Sequence, residues 1–372
     1  MITKHYKIDR KNIETASAIL SEAGETIRNG GLVVFPTETV YGLGANALRE
    51  EASKKIYRAK GRPSDNPLII HIANLKDLPT IAKEIPNAAY LLAKKFWPGP
   101  LTMIFNKSKD VPDTTTGGLS SVAVRMPDDE IALGVIRCGG GFVAAPSANT
   151  SGRPSPTKAC HVADDLDGKV DMIIDGGDCT IGLESTILDM TVSPFAILRP
   201  GAITAEMLEE VIKEKVTSSS GKALKEDTAP KAPGMKYRHY SPKAKLVLIA
   251  GEVGKVADYI NERIGEALSD GGVNGDCIGI IASEEIANRY SEELRRAGSN
   301  LESTDLQKRV IVKTIGNRAD ASGIAANLYR ILREFDAEDV SVIYSEVFPE
   351  EGIGIAIMNR LTKAAGYEII YV

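Results

Sequence analysis

Paired cysteines are missing from this chain. Cys138, Cys160, Cys179 and Cys277 stand apart, with no C-x-x-C spacing among them. That argues against zinc sites and dithiol redox chemistry and predicts four reduced, partly buried small residues. Histidine is as sparse. His5, His71, His161 and His239 are scattered and form no H-E-x-x-H or similar pattern, so no protein-built metal site is expected. No apolar run approaches the ~18 residues that span a bilayer. The opening Met1-Ile2-Thr3-Lys4-His5-Tyr6-Lys7 has no apolar core of a signal peptide. A cytoplasmic protein with no membrane partner is expected. No excess of positive charge exists either: the net charge of −5 argues against a surface that binds nucleic acid all over. A G-x-S-x-G elbow is absent around Ser147, which excludes serine-hydrolase chemistry there.

What is present is an ordinary globular composition, 43% hydrophobic and 26% charged, in 372 residues. That length accommodates one to three domains. Buried-strand patterns occur at 31–35, 68–72, 101–106, 121–126, 142–145, 171–174, 185–189 and 195–198. Helical spacing occurs over 12–29 and near 50–59, 76–84, 86–96, 130–137, 157–165 and 204–215. Several strands follow one another directly, so residues 1–216 predict an α/β domain with a mixed sheet. Residues 244–372 alternate strand and helix four times, which predicts a smaller Rossmann-like α/β domain. Between them, 217–243 reads as a linker, yet it carries net +4 between segments of −2 and −7. It ends in Lys236-Tyr237-Arg238-His239-Tyr240-Ser241-Pro242, chemistry that a passive spacer does not need.

The motifs sit at strand ends. Lys60-Gly-Arg62-Pro63-Ser64-Asp65-Asn66-Pro67 puts two cations ahead of the strand Leu68–Ile72, where they can converge on one polyanion. Alone, such a pair is ordinarily a solvated loop. Pro36-Thr37-Glu38-Thr39-Val40-Tyr41-Gly42 follows another strand with hydroxyls that can cap or line a pocket. Gly42-Leu43-Gly44-Ala45-Asn46-Ala47 matches G-x-G-x-x-A, but it does not directly follow a strand and Arg62 stands where an acid is required. A tight turn packed near a site is expected there. Ala145-Pro146-Ser147-Ala148-Asn149-Thr150-Ser151-Gly152-Arg153-Pro154-Ser155 is dense in groups that grip phosphate or ribose. Arg125 lies inside an apolar strand, a costly place unless it is paired. A ligand carboxylate and a structural ion pair satisfy it equally. Glu184-Ser185-Thr186 and Leu198-Arg199-Pro200-Gly201 repeat the theme. Together these strand ends predict one cleft for an anionic ligand.

The same residues carry a resemblance. Gly31–Leu43, Lys60-x-Arg62-Pro63, Phe96-Trp97-Pro98-Gly99-Pro100-Leu101-Thr102, Ala145–Asn149 and Leu198-Arg199-Pro200-Gly201 resemble the YrdC-like family. The linker and second domain are similar to its long two-domain form, which makes threonylcarbamoyl-AMP. The resemblance implies a nucleotidyltransferase using L-threonine, bicarbonate and ATP, with Mg2+ on the phosphates. Its product feeds a downstream tRNA threonylcarbamoyl transferase complex, and a weak RNA contact is compatible with that setting. By the same resemblance, Lys60 and Arg62 are the catalytic cations. Lys60, Arg62, Asn66, Ser121, Ser147, Asn149, Ser155, Arg199, Tyr237 and Tyr240 contact ATP. Thr39, His71, Arg125, Ala145 and Ser185 form the threonine pocket, and Lys236, Tyr237 and Tyr240 serve as a lid. Two other readings share some of these features. One is a carbamoyl-transfer enzyme of hydrogenase maturation, which should carry paired cysteines. The other is an RNA-binding protein without ATP turnover.

Overall fold

The computed structural model describes residues 1–218, 230–233, 239–269, 277–297, 310–338 and 340–372. Two compact units emerge: Met1–Ser151 with Ser155–Tyr237, and Gly152–Pro154 with Arg238–Val372.

The first unit is built on a mixed sheet. Strands Ile69–His71 and Ser121–Arg125 pair in parallel, and Leu101–Lys107 pairs antiparallel to the latter. Thr186–Asp189 then runs parallel to Leu101–Lys107, and Ala196–Arg199 antiparallel to Thr186–Asp189. On the other side, Val143–Ala144 is antiparallel to Ile69–His71 and leads to Gly42–Asn46, Val33–Phe35, Met172–Asp175 and Lys4–Lys7. These strands are apolar because both faces are covered. Helices Ser17–Arg28 and Glu130–Cys138 cover one side, while Glu50–Lys60, Asn87–Phe96 and Ala205–Ile212 contribute to a second core. The sheet extends to Thr217–Ser218, which pairs with Ala196–Arg199.

Two local expectations need correction. Gly42-Leu43-Gly44 is not a turn but the start of a strand hydrogen-bonded to Val33–Phe35. Its glycine at 44 is required by packing: a Cβ there would lie 2.5 Å from the Phe35 ring and 2.9 Å from Val143. The helix expected over 76–84 is a short turn at Leu75–Asp77 and helix Leu78–Ile81. It stops because Ala82–Lys83 turns extended and pairs with Asn106 and Lys107.

In the second unit, strands Lys245–Ala250, Ile278–Ser283, Val310–Gly316, Val342–Glu346 and Ile369–Tyr371 form a sheet in which every pairing is parallel. Helices Val253–Ser269, Glu284–Ala297, Ala321–Ala337 and Gly354–Ala364 connect them. This is the small doubly wound sheet expected from the alternation.

Candidate active site

Register places His71, Ser121, Arg125 and Arg199 of the expected residues on one face of the first sheet. His71 is directly opposite Arg125, and Arg125 is opposite Thr102. Ile69 faces Ala123, which faces Ile104, and Ser121 faces Asn106. Residues paired this way share a face. Ile69, Ile104, Ala123 and Ile187 form its apolar floor. Ser121 and Arg125 mark its two ends, about 13 Å apart at the usual rise per residue.

At the Arg125 end, polar side chains converge. Arg125 is buried, and its Nε donates to the Gly99 carbonyl at 3.3 Å. Gly99 donates in turn to Met126 O at 2.8 Å, so the Trp97-Pro98-Gly99 loop clasps both sides of the arginine. A Cβ on Gly99 would fall 2.4 Å from Phe96 O, which is why this loop needs glycine there. His71 is buried beside Arg125, with Nδ1 donating to Ile69 O at 3.2 Å. Burial, then the Arg125 charge, lowers its pKa to about 3, so its imidazole is neutral. Thr102 and Ser185 hydroxyls are 2.7 Å apart, and Arg199 donates to Ser185 Oγ at 3.2 Å and to Ser185 O at 3.1 Å. Thr37 Oγ1 donates to Val40 O at 2.7 Å. Thr39, whose hydroxyl is 2.9 Å from it, is therefore the donor in that pair. Ala145 donates its backbone N–H to Ile69 O at 2.9 Å.

At the other end, the strand after Ala144 runs antiparallel to Ile69–His71, which carries Ser147 and Asn149 back toward Pro67. Lys60 ends its helix there. Its Nζ donates to the backbone carbonyls of Ser147 and Asn149 and lies 3.4 Å from Asn149 Oδ1. Ser147 Oγ donates to Asn149 Oδ1 at 2.5 Å. Arg62 is no solvated loop residue. It is buried, with Nη2 on Asn66 Oδ1 at 2.6 Å and Pro67 O at 3.0 Å, and Nε on Asn66 O at 3.1 Å. Ser155 donates to buried Glu184 at 2.6 Å.

Sequence reasoning passed over several residues here. Glu38 lies with Oε2 2.6 Å from Arg125 Nη2, so an ion pair is what the arginine makes in this structure. Thr102 and Glu184 also belong to the constellation, signalled only by a polar residue at the end of an apolar run. From the linker, Ala232 is fully buried in the floor cluster, and Lys231 Nζ lies 3.3 Å from Asp189 Oδ2. Tyr240 is in the second unit, its ring centroid 5.4 Å from that of Tyr329 and under Arg360. Lys236 and Tyr237 lie outside the described residues. No cluster of three or more His, Cys, Asp or Glu able to hold a metal occurs among the described residues. None of the described helices is long and apolar enough to cross a membrane.

The Sua5/YciO/YrdC family, described as telomere recombination, matches residues 25–201. The threonylcarbamoyl-AMP synthase C-terminal domain matches 203–366. The threonylcarbamoyl-AMP synthase of Pyrococcus abyssi is 49% identical over 346 residues, 93% of this chain and 94% of its own. The Bacillus subtilis protein of that name is 44% identical over 372 residues and all of both chains. A structure of P. abyssi Sua5 complexed with L-threonine superposes with TM-score 0.85 at 45% identity, covering 100% of each chain. The chain belongs to the threonylcarbamoyl-AMP synthase family, with both the Sua5/YrdC domain and the Sua5 C-terminal domain.

Proposed function

We propose that this protein forms threonylcarbamoyl-AMP and pyrophosphate from L-threonine, bicarbonate and ATP, in the cytoplasm, for a tRNA threonylcarbamoyl transferase. The observation that carries this reading is the two-ended sheet face. Hydroxyls and Arg125 gather at one end, Lys60, Arg62 and the Ser147–Asn149 loop at the other, over an apolar floor that a ribose and base can cover. Arg125 takes the amino-acid carboxylate, with Thr39 and Ser185 on the side-chain hydroxyl and His71 and Ala145 shaping the wall. Lys60, Arg62, Asn66, Ser121, Ser147, Asn149, Ser155 and Arg199 bind ATP, with Tyr237 as the linker's part.

The chemistry asks little covalent help of the chain. The carbamate oxygen of N-carboxythreonine attacks the α-phosphorus, the bond to the bridging oxygen breaks, and pyrophosphate leaves with that electron pair. Fixed cations neutralise the charge that develops, and the strand ends hold the two reactants in line. Mg2+ would arrive on the triphosphate and neutralise part of its charge, held by phosphate and water rather than by a protein cage. The product is a mixed anhydride, and the 231–233 segment lying on the floor suits a lid that keeps water from it.

Pyrophosphate release with ATP, bicarbonate and each amino acid tests the assignment. A site that hydrogen-bonds a hydroxyl rejects the analogue lacking it strongly, so threonine should exceed valine by about 10²-fold or more in kcat/KM. Equal turnover with valine would remove the assignment.

A further inference from the structure

The amino-acid end of the face holds a carboxylate that the reaction above does not use. Glu38 is 7% exposed and its ion-pair partner Arg125 is 4% exposed. Their closest atoms are 2.6 Å apart, yet the angles direct no N–H at the oxygen. Neither Glu38 side-chain oxygen accepts a hydrogen bond from any described residue. A buried carboxylate normally collects donors, because each lone pair stripped of water and left bare is costly. Here both oxygens are buried and lack a directed donor, with the Arg125 charge as their near neighbour.

The charge count shows what kind of ligand fits. His71 beside Arg125 is neutral, as described. Asp129 is taken by Arg10, whose Nη2 lies 2.8 Å from Oδ2. The Cys179 thiol is protonated, its pKa pushed up to about 12 chiefly by burial. Arg125 and Glu38 therefore cancel, and Arg199 on Ser185 is offset by the Asp128 carboxyl, whose pKa is raised by burial and then by nearby Glu38. A ligand bearing only a carboxylate would displace Glu38 from the arginine and leave one buried negative charge without a partner. A zwitterion brings a cation with it.

We infer that Glu38 is a specificity-determining residue that receives the α-ammonium of the incoming amino acid while Arg125 takes its α-carboxylate. In this structure Glu38 occupies the place on Arg125 that the substrate carboxylate would take. The inference rests on the amino-acid assignment made under the proposed function, and adds to it the reason a zwitterion is chosen over a simple acid.

The test is calorimetric binding to the full chain of L-threonine and of 2,3-dihydroxybutanoate, the same skeleton with hydroxyl in place of ammonium. Wild-type protein should favour threonine by about 10²-fold, as expected when a buried charge would be left unpaired. Glu38→Gln should weaken threonine by about ten-fold or more and leave the hydroxy acid as tight or tighter, since a charge-assisted contact is lost only for the first. A purely structural role would move both together. Should Glu38→Gln fail to fold, Glu38→Asp decides: it keeps the charge but withdraws it by one methylene, so threonine alone should weaken. A folded Glu38→Gln or Glu38→Asp protein with the wild-type ratio overturns the inference, as does a wild type that binds both ligands equally. If another α-amino acid binds and threonine does not, the substrate assignment fails. Glu38 is then judged on that amino acid and its hydroxy analogue. If no α-amino acid binds, both fail.

Discussion

Arg62 is harder to remove than a loop arginine. Three hydrogen bonds tie it to Asn66 and Pro67, so it shapes the turn into the Ile69–His71 strand as well as carrying charge. Arg62→Ala should lower kcat by about 10²-fold, the scale of one lost preorganised contact. It should also cost about 1–3 kcal/mol in stability, because buried acceptors lose their donor. Rate and urea midpoint check the two separately; a wild-type rate would return Arg62 to a structural role alone. His71 makes a prediction of opposite kind. Its folded pKa near 3 lies below the ordinary value of 6.5, so the unfolded chain binds the extra proton first. Stability from this group is whole above about pH 6.5 and is lost as pH falls toward 3, by on the order of 5 kcal/mol in all. Urea midpoints between pH 4.5 and 7.5 should fall with pH, and His71→Asn should flatten that slope. In the same way, no step of kcat between pH 6 and 8 should trace to His71.

At the scale of elements, the short 230–233 segment carries the sharpest expectation. Ala232 fills the floor among Ile69, Ile104, Ala123 and Ile187. Ala232→Glu would bury an unpaired carboxylate there, so the segment should leave the face. If it acts as a lid, adenylate yield should drop while threonine binding stays as it was; unchanged yield would make the segment a tether. A lid is the expectation for this linker, because cations and tyrosines are wasted on a spacer. The strands at 101–107 and 121–125 were legible for a simpler reason: continuous apolar runs have few other homes. Gly42–Asn46 was not, since glycines that let a strand press on Phe35 look like glycines of a turn. The arginines and hydroxyls at strand ends announced a cleft. Glu38 did not, because a glutamate after a strand reads as surface and nothing in its spacing points to Arg125. Arg62 is expected as a ligand-binding cation, but no sign in the sequence shows that Asn66 would turn back onto it.

For the whole molecule, the first unit has its own cores, and residues 1–230 should fold without the rest. That fragment should bind ATP about ten-fold more weakly than the full chain if the later residues contribute to enclosure; equal affinity by titration would deny them that part. The strand order has a separate consequence for how the enzyme comes into being. His71, Arg125 and Arg199 lie on nearby strands of one sheet, with Thr39 and Ser185 in the loops beside them, but they are strung along most of the first unit's sequence. Their pairings join distant segments, and such closures come slowly. A chain emerging from the ribosome can form helices and the Val33–Phe35 hairpin early, yet the proposed amino-acid pocket cannot be complete until Ala196–Arg199 locks against Thr186–Asp189. Activity should therefore return on refolding later than helical signal does, and ligand cannot guide the earlier steps because nothing exists for it to bind.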